Sequence, residues 1–356
     1  MDPVTHFLTG ACMSRAGFNR KTGLATLTMV LAAEAADIDV LWVIKGPTEA
    51  LQHHRGITHS FVGAPFVAAA TLGIIYLLHR FWLSRRKPKP GRPPIRWRYL
   101  YWIALVAALS HILLDYTTAY GIRMFAPFNW RWYSWDIVFI TEPVILVALI
   151  LGLVAPALFG LINQEIGART RGQRGRGGAI FALVCLVVIW GYRDLQHRRA
   201  LNAMNSVLYN GASPLRTAAY PYMVNPFRWH GVVETENFLQ TVPVESMAPE
   251  VDPRGEARTF YKPEETDVTR AAKASYFGRV YLDWAVFPYL QIQKVEGEFK
   301  GYLAEFIDLR YTYPEWGGRG RLGGYVVLAP NLQVEEQGPN SDTSPTVEKL
   351  ERPDRR

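Results

Sequence analysis

The chain has 356 residues, 49% of them hydrophobic, with two cysteines and a formal charge of +8. That length accommodates two domains, and Cys12 and Cys185, each in an apolar stretch, exclude a disulfide framework. The charge does not point to nucleic acid, because its densest runs lie between apolar segments, where the positive-inside rule puts them.

No cleavable signal is expected, since the start lacks a basic region followed by an apolar core and a small-residue cleavage site. Residues 3–16 form a modest apolar helix, with Phe7, Leu8, Ala11 and Cys12 at helical spacing. It reaches only about 20 Å, short of a hydrocarbon core of roughly 30 Å, so it is re-entrant or opens into a polar cavity. Arg15, Arg20 and Lys21 suggest a cytoplasmic turn, and residues 23–43 return with Glu34, Asp37 and Asp39 toward the far end. A polar, histidine-rich run at 53–60 then leads into a clean spanning candidate at 61–83. The loop from Arg85 to Arg98 is basic and free of acids, the strongest cytoplasmic signal in the chain. Residues 99–120 come back and 137–162 cross again, with Pro143 and Pro156 tolerable in a membrane helix. Arg169, Arg171, Arg174 and Arg176 mark a second cytoplasmic loop before a last, short crossing at 179–192.

The pattern changes near Arg193, where we place a boundary: a membrane helix bundle over 1–193, a soluble α+β domain over 194–334 and a disordered tail over 335–356. Residues 194–209 are amphipathic and 263–278 read as a helix. Residues 229–244, 279–287, 291–299, 302–311 and 324–328 are rich in β-branched and aromatic residues and read as strands of a mainly antiparallel sheet.

Counting crossings from the basic loops puts His6, Asp37, Asp39, the 53–60 run, His111, Asp115 and the loop 121–136 at the outer ends, with the C-terminal domain outside as well. Acids and imidazoles beside lipid are costly unless something neutralises them, and a divalent metal would. His111 and Asp115, four apart on a helix, share a face with Cβ atoms about 5–6 Å apart; an interfacial histidine hydrogen-bonded to an aspartate has the same spacing. Asp37 and Asp39 diverge on an unbroken helix, but an extended turn at the helix end would let them flank one ion. A solvated helix end explains them equally. In the 53–60 run, Gly56 lets the backbone bend so that His54 and His59 both present imidazoles, with His54 preferred to His53. Arg55 supplies a fork for a phosphate or carboxylate oxygen, and Thr58 and Ser60 could orient ligands. His6 is a further candidate, while Asp136 and Glu142 could be late ligands or a general base. Mixed nitrogen and oxygen donors fit one or two ions, zinc first, then manganese or iron.

The residues Thr5-His6 with Gly10, Asp37-Ile38-Asp39, the motif His-Arg-Gly-Ile-Thr-His-Ser at 54–60, Ser110-His111-Ile112-Leu113-Leu114-Asp115 with Thr117 and Gly121, and Pro127-Phe128 running to Asp136 resemble the YdjM-type family of bacterial membrane-bound metal-dependent hydrolases. The likeness covers roughly residues 1–160, with a weaker echo at 225–229. It implies a multi-pass inner-membrane protein with His6, Asp37, Asp39, His54, His59, His111 and Asp115 as metal ligands. The arrangement also looks like zinc-dependent phospholipase C and related nucleases, which by analogy favours a phosphoester or lipid-derived substrate. Two positions depart from the pattern: Ala36 replaces a proline before the aspartate pair, and Glu142-Pro143 replaces Asp-Pro. Two rival functions remain open, an ion-coupled transporter and a membrane anchor with a structural metal and a partner-binding outer domain.

Overall fold

The computed structural model describes residues 1–85, 93–165, 175–314, 322–341 and 344–351. Much of both predicted basic loops (86–92 and 166–174) and the end of the predicted tail (352–356) lie outside the described residues. The chain divides into a helical unit of Met1–Asp39, Arg55–Leu195 and Pro221–Pro226, and a second unit of Val40–His54, Gln196–Tyr220 and Phe227–Arg356.

The helical unit begins with α1 (Pro3–Ala16), started by Pro3 in its first turn and by Asp2, whose carboxylate accepts from the Thr5 N–H at 3.0 Å and from Thr5 Oγ1 at 2.6 Å. Its buried face carries Thr5, His6, Thr9 and Gly10. At Gly10 a Cβ would lie 2.8 Å from the Met29 carbonyl oxygen, so only glycine allows α1 to approach α2 (Ala25–Glu34) this closely. The expected helix over 23–43 does not continue as α: residues Ala35–Lys45 tighten into a 3₁₀ helix. Next come α3 (Pro47–His53), which belongs to the second unit, and α4 (Gly63–Phe81). In α5 (Trp97–Tyr116), Leu100, Ile103, Ala104, Ala107, Ala108, His111 and Asp115 are buried at helical spacing, so two candidate ligands share the stripe that packs the bundle.

α6 (Pro143–Glu165) starts six residues later than expected, because Pro143 takes the first helical position rather than an interior one. α7 (Arg176–Asn205) is one helix where a short crossing and a separate amphipathic helix were expected. Arg193 does not break it, since its guanidinium is buried against Glu142 (2.6 Å) and bonds the carbonyls of Tyr222 and Asn225. Among the described residues, Gly63–Arg85, Trp97–Tyr116 and Arg176–Asn205 are long and apolar enough to cross a membrane, and Pro143–Pro156 is a shorter apolar helix. Phe66, Leu77, Phe181 and Val188 point outward uncovered, as lipid-facing side chains do.

The second unit continues with β1 (Arg216–Pro221), β2 (Arg228–Glu234), β3 (Phe238–Glu245), β4 (Glu250–Val251) and β5 (Arg258–Tyr261) in one sheet, in the order β1-β2-β3-β4 with β5 also on β3. α8 (Asp267–Ala274) and α9 (Tyr276–Trp284) follow. β6 (Pro288–Glu296), β7 (Lys300–Asp308), β8 (Gly323–Leu328) and β9 (Val334–Pro339) then form a second, antiparallel sheet. α10 (Val347–Glu351) closes the described chain.

Two expectations are corrected here. Residues 279–287, rich in aromatic and β-branched side chains, form most of α9: Phe277, Val280, Tyr281 and Trp284 are buried at intervals of three and four, and Ser275 caps the helix. The polar stretch after 334 supplies β9, whose register runs from Val334 on Leu328 to Pro339 on Gly324, and α10, whose Val347 and Leu350 pack against a cluster of Val295, Leu303, Tyr325 and Val327. Its polar residues are those of an edge strand.

Arg310 is fully buried, its Nε 2.9 Å from Asp308 Oδ2, its Nη2 3.2 Å from the Trp284 carbonyl and its guanidinium over the Trp284 ring. Burial opposes its charge, but Asp308, Tyr311 and Tyr220 outweigh that and hold it above the ordinary arginine value. Arg310→Leu should leave Asp308 as an unpaired buried carboxylate and cost about 3–5 kcal/mol. The check is a marked fall in the thermal midpoint of the detergent-solubilised chain; an unchanged midpoint would show the pair to be dispensable.

Candidate metal centre

The helical unit brings the start of α1, the residues after α2, the turn before α4 and the end of α5 to one end of the bundle. Asp37, His59, His111 and Asp115 meet there, each offering a ligand atom within 4.8 Å of the others. His111 Nε2 lies 3.0 Å from His59 Nε2, and Asp115 Oδ2 lies 3.4 Å from each. Asp37 Oδ1 is 3.2 Å from His59 Nε2 and 3.6 Å from His111 Nε2. A tetrahedron of zinc–ligand bonds near 2.1 Å has edges of about 3.4 Å.

The other edges of the two rings settle which nitrogens are free to coordinate. His111 Nδ1 donates to the Ala33 carbonyl at 2.6 Å. His59 Nδ1 sits 3.2 Å from Asp39 Oδ2 and 3.1 Å from Thr58 Oγ1. Each Nδ1 is therefore a donor, and in a neutral ring the Nε2 is then an acceptor. Two such nitrogens at 3.0 Å need a proton or a cation between them. Asp115 Oδ2 is buried without a hydrogen bond, as are the two ring nitrogens of His6, one of which is a donor and the other an acceptor in the neutral ring. The donor set fits a divalent ion of the zinc, manganese or iron type.

Asp39 grips His59 Nδ1, Thr58 Oγ1 and the Arg55 N–H (2.7 Å), so it braces the 55–59 turn and sits behind the ring. Of the two carboxylates expected to flank one ion, Asp37 joins the group at the Nε2 edge of the His59 ring, while Asp39 sits at the Nδ1 edge. The backbone bends at Gly56 as expected, and the residue before it, Arg55, takes a φ of +52°, held by Asp39 on its N–H and by the Arg123 N–H on its carbonyl. The Arg55 guanidinium places Nη2 3.0 Å from Asp115 Oδ1 and lies over the Tyr120 ring. His6 stacks on His111 with centroids 3.8 Å apart, its Nε2 3.3 Å from Asp115 Oδ1, an oxygen that the Met1 amino group also contacts.

His54 is not among the four; its N–H closes α3 on the Ala50 carbonyl, and His53 stacks on Trp42. Glu142 is engaged by Arg193, and Asp136 adopts a left-handed φ of +59° in the loop before α6. Neither joins the group. Sequence reasoning missed the Ala33 carbonyl, which has no residue signature, and Gly63. A Cβ on Gly63 would stand 1.8 Å from the Ile57 carbonyl oxygen, so the turn carrying His59 rests directly on the start of α4.

The fold and this centre define a class: a multi-helix membrane protein with a buried histidine–aspartate cluster, followed by antiparallel sheets. The chain belongs to the family described as YdjM inner membrane protein, whose family model matches residues 1–200. The Bacillus subtilis (strain 168) protein YfhP is 24% identical over 164 residues, an alignment covering 42% of this chain and 44% of YfhP. The match thus spans less than half of that relative's length. No solved structure matches.

Gly63→Ala should push the His59 turn off its position and lower the metal content of the purified chain. Gly73→Ala, where an added methyl meets nothing within 4 Å, should leave it unchanged. Equal metal content in the two variants would show that the turn does not depend on this contact.

Proposed function

We propose that this protein is a membrane-embedded, metal-dependent hydrolase acting on a phosphoester or lipid-derived substrate. The observation that carries the reading is the approach of His59 Nε2 and His111 Nε2 to 3.0 Å between two aspartates. A divalent ion bound there supplies Lewis acidity and lowers the pKa of a coordinated water toward neutrality. His59, His111, Asp37 and Asp115 are the residues that would hold it. Ala33 and Asp39 fix the rings, and Arg55 ties down Asp115 Oδ1 so that Oδ2 faces the centre.

Asp37 keeps 30% of its side chain exposed, whereas those of His59, His111 and Asp115 are at 0–1%. The centre therefore opens on the Asp37 side, and an approachable ion suits catalysis better than a closed structural site. Arg55 adds fixed positive charge, which favours an anionic substrate. The basic residues at Arg85, Arg96, Arg98 and Arg176 support an orientation with the centre and the C-terminal domain on the outer face of the membrane.

The test is elemental analysis of the detergent-purified chain, followed by a panel of phosphodiesters and phospholipids. We expect at least stoichiometric divalent metal, with metal and hydrolysis both lost in His59→Ala and Asp115→Asn. Asp39→Asn should weaken metal affinity by about 10–100-fold without abolishing binding, as second-sphere changes do. A wild-type chain devoid of bound metal, or a His59→Ala chain as active as wild type, would overturn the reading.

A further inference from the structure

The loop that follows α5 carries a surface the centre itself does not use. Gly121 to Trp135 contains no acid, two arginines and six aromatic residues. An antiparallel bridge between Ile122 and Tyr133 folds it back, and Ile122 and Met124 bury against Ala64, Ala108 and Ile112 near the ends of α4 and α5. Its other face stays uncovered: Phe128 is 87% exposed, and Phe125 and Trp130 are exposed too. Phe61 extends this face, its ring packing edge-on to Phe125 at 5.7 Å and its N–H bonding the Met124 carbonyl. Arg123 lies over the rings of Trp130 and Trp132, and Arg131 is exposed.

This surface borders the centre. Phe61 stands two residues after His59, the Arg123 N–H bonds the Arg55 carbonyl, and Arg55 Nη1 reaches the Gly121 carbonyl at 3.4 Å. It also lies at the membrane boundary of its own unit, since Tyr116 ends one apolar span and Gly63 starts another. Aromatic rings beside an exposed arginine and without carboxylates are what the headgroup level of a bilayer accepts, because the rings take the carbonyl and upper acyl region while a guanidinium such as that of Arg131 meets phosphate. The exposed Phe125, Phe128 and Trp130 lie where two apolar spans end, so the bilayer those spans cross is the surface that covers them.

We propose that this loop lies in the headgroup–acyl boundary of the membrane that α4 and α5 cross, and that the centre beside it receives a phosphate-bearing amphiphile from that bilayer rather than a solute from water. The second half rests on the hydrolase reading; the first half stands without it.

The full chain carries Cys12→Ala, Cys185→Ala and Phe128→Cys with a nitroxide label, in nanodiscs of phosphatidylcholine and phosphatidylglycerol. Collision with oxygen should exceed collision with a water-soluble nickel chelate, corresponding to a depth of about 5–10 Å below the headgroup surface. A label at Met247→Cys, exposed in the C-terminal unit, should show the reverse. Nickel-dominated collision at 128 places the loop in water. Protection from both reagents with dipolar broadening places it against a second copy of the chain. Either result overturns the proposal.

For the second half, wild-type chain loaded with manganese should speed phosphorus-31 relaxation of the nanodisc lipids well beyond a His111→Ala control given the same manganese. Bound manganese without that enhancement overturns the lipid route and leaves the hydrolase reading standing. A wild-type chain that binds no divalent metal at all overturns both.

Discussion

Four acceptor atoms converge inside the helical unit: two imidazole lone pairs and two carboxylate oxygens, three of the four side chains shut off from water. Alone, such a group is unfavourable in an apolar bundle, because three of its four members have given up water and lie beside other acceptors. A multivalent cation reverses the sign of every one of these contacts. Much of the local structure serves to keep the acceptors facing one another. The 3₁₀ segment after α2 sets Asp37 and Asp39 on either side of His59, and a left-handed Arg55 turns the chain at the start of the motif. The α5 stripe carries His111 and Asp115 on the same face that packs the bundle.

A positive residue beside a cation site calls for an explanation. Arg55 is buried and touches Asp115 through Oδ1, while Oδ2 faces the histidines. The carboxylate would thus separate a bound cation from the guanidinium and be shared between them. His6 approaches the same Oδ1 and stacks on His111, so it shields the centre from the α1 side.

Side-chain chemistry made most of this centre legible in the sequence. His59, His111, Asp115 and Asp37 each stand out as a polar group in or beside an apolar stretch, and the i, i+4 spacing of His111 and Asp115 fixes a shared face without further information. Reading failed where backbone conformation decides. An α-helix and a 3₁₀ helix aim Asp39 differently, and residue types alone do not choose between them. Likewise, the pairing of Glu142 with Arg193 joins residues 51 apart, so neither local pattern announced it. In the C-terminal unit, composition favoured a strand over 279–287, yet the interval between its buried residues was helical. Periodicity was the better guide there, and composition outweighed it. Near Arg193 the helix runs on unbroken, yet the division between the two units falls at Leu195 and Gln196, next to the boundary read there.

The grip of Asp39 and Thr58 on His59 Nδ1 has a kinetic side. A ring held at that nitrogen loses much of its freedom to rotate before any ion arrives, so little ordering is left for binding to impose. The same restraint denies a departing ion the swinging ligand by which looser sites let go. Capture at this centre should therefore be governed by access past Asp37, and release by the loss of several bonds together.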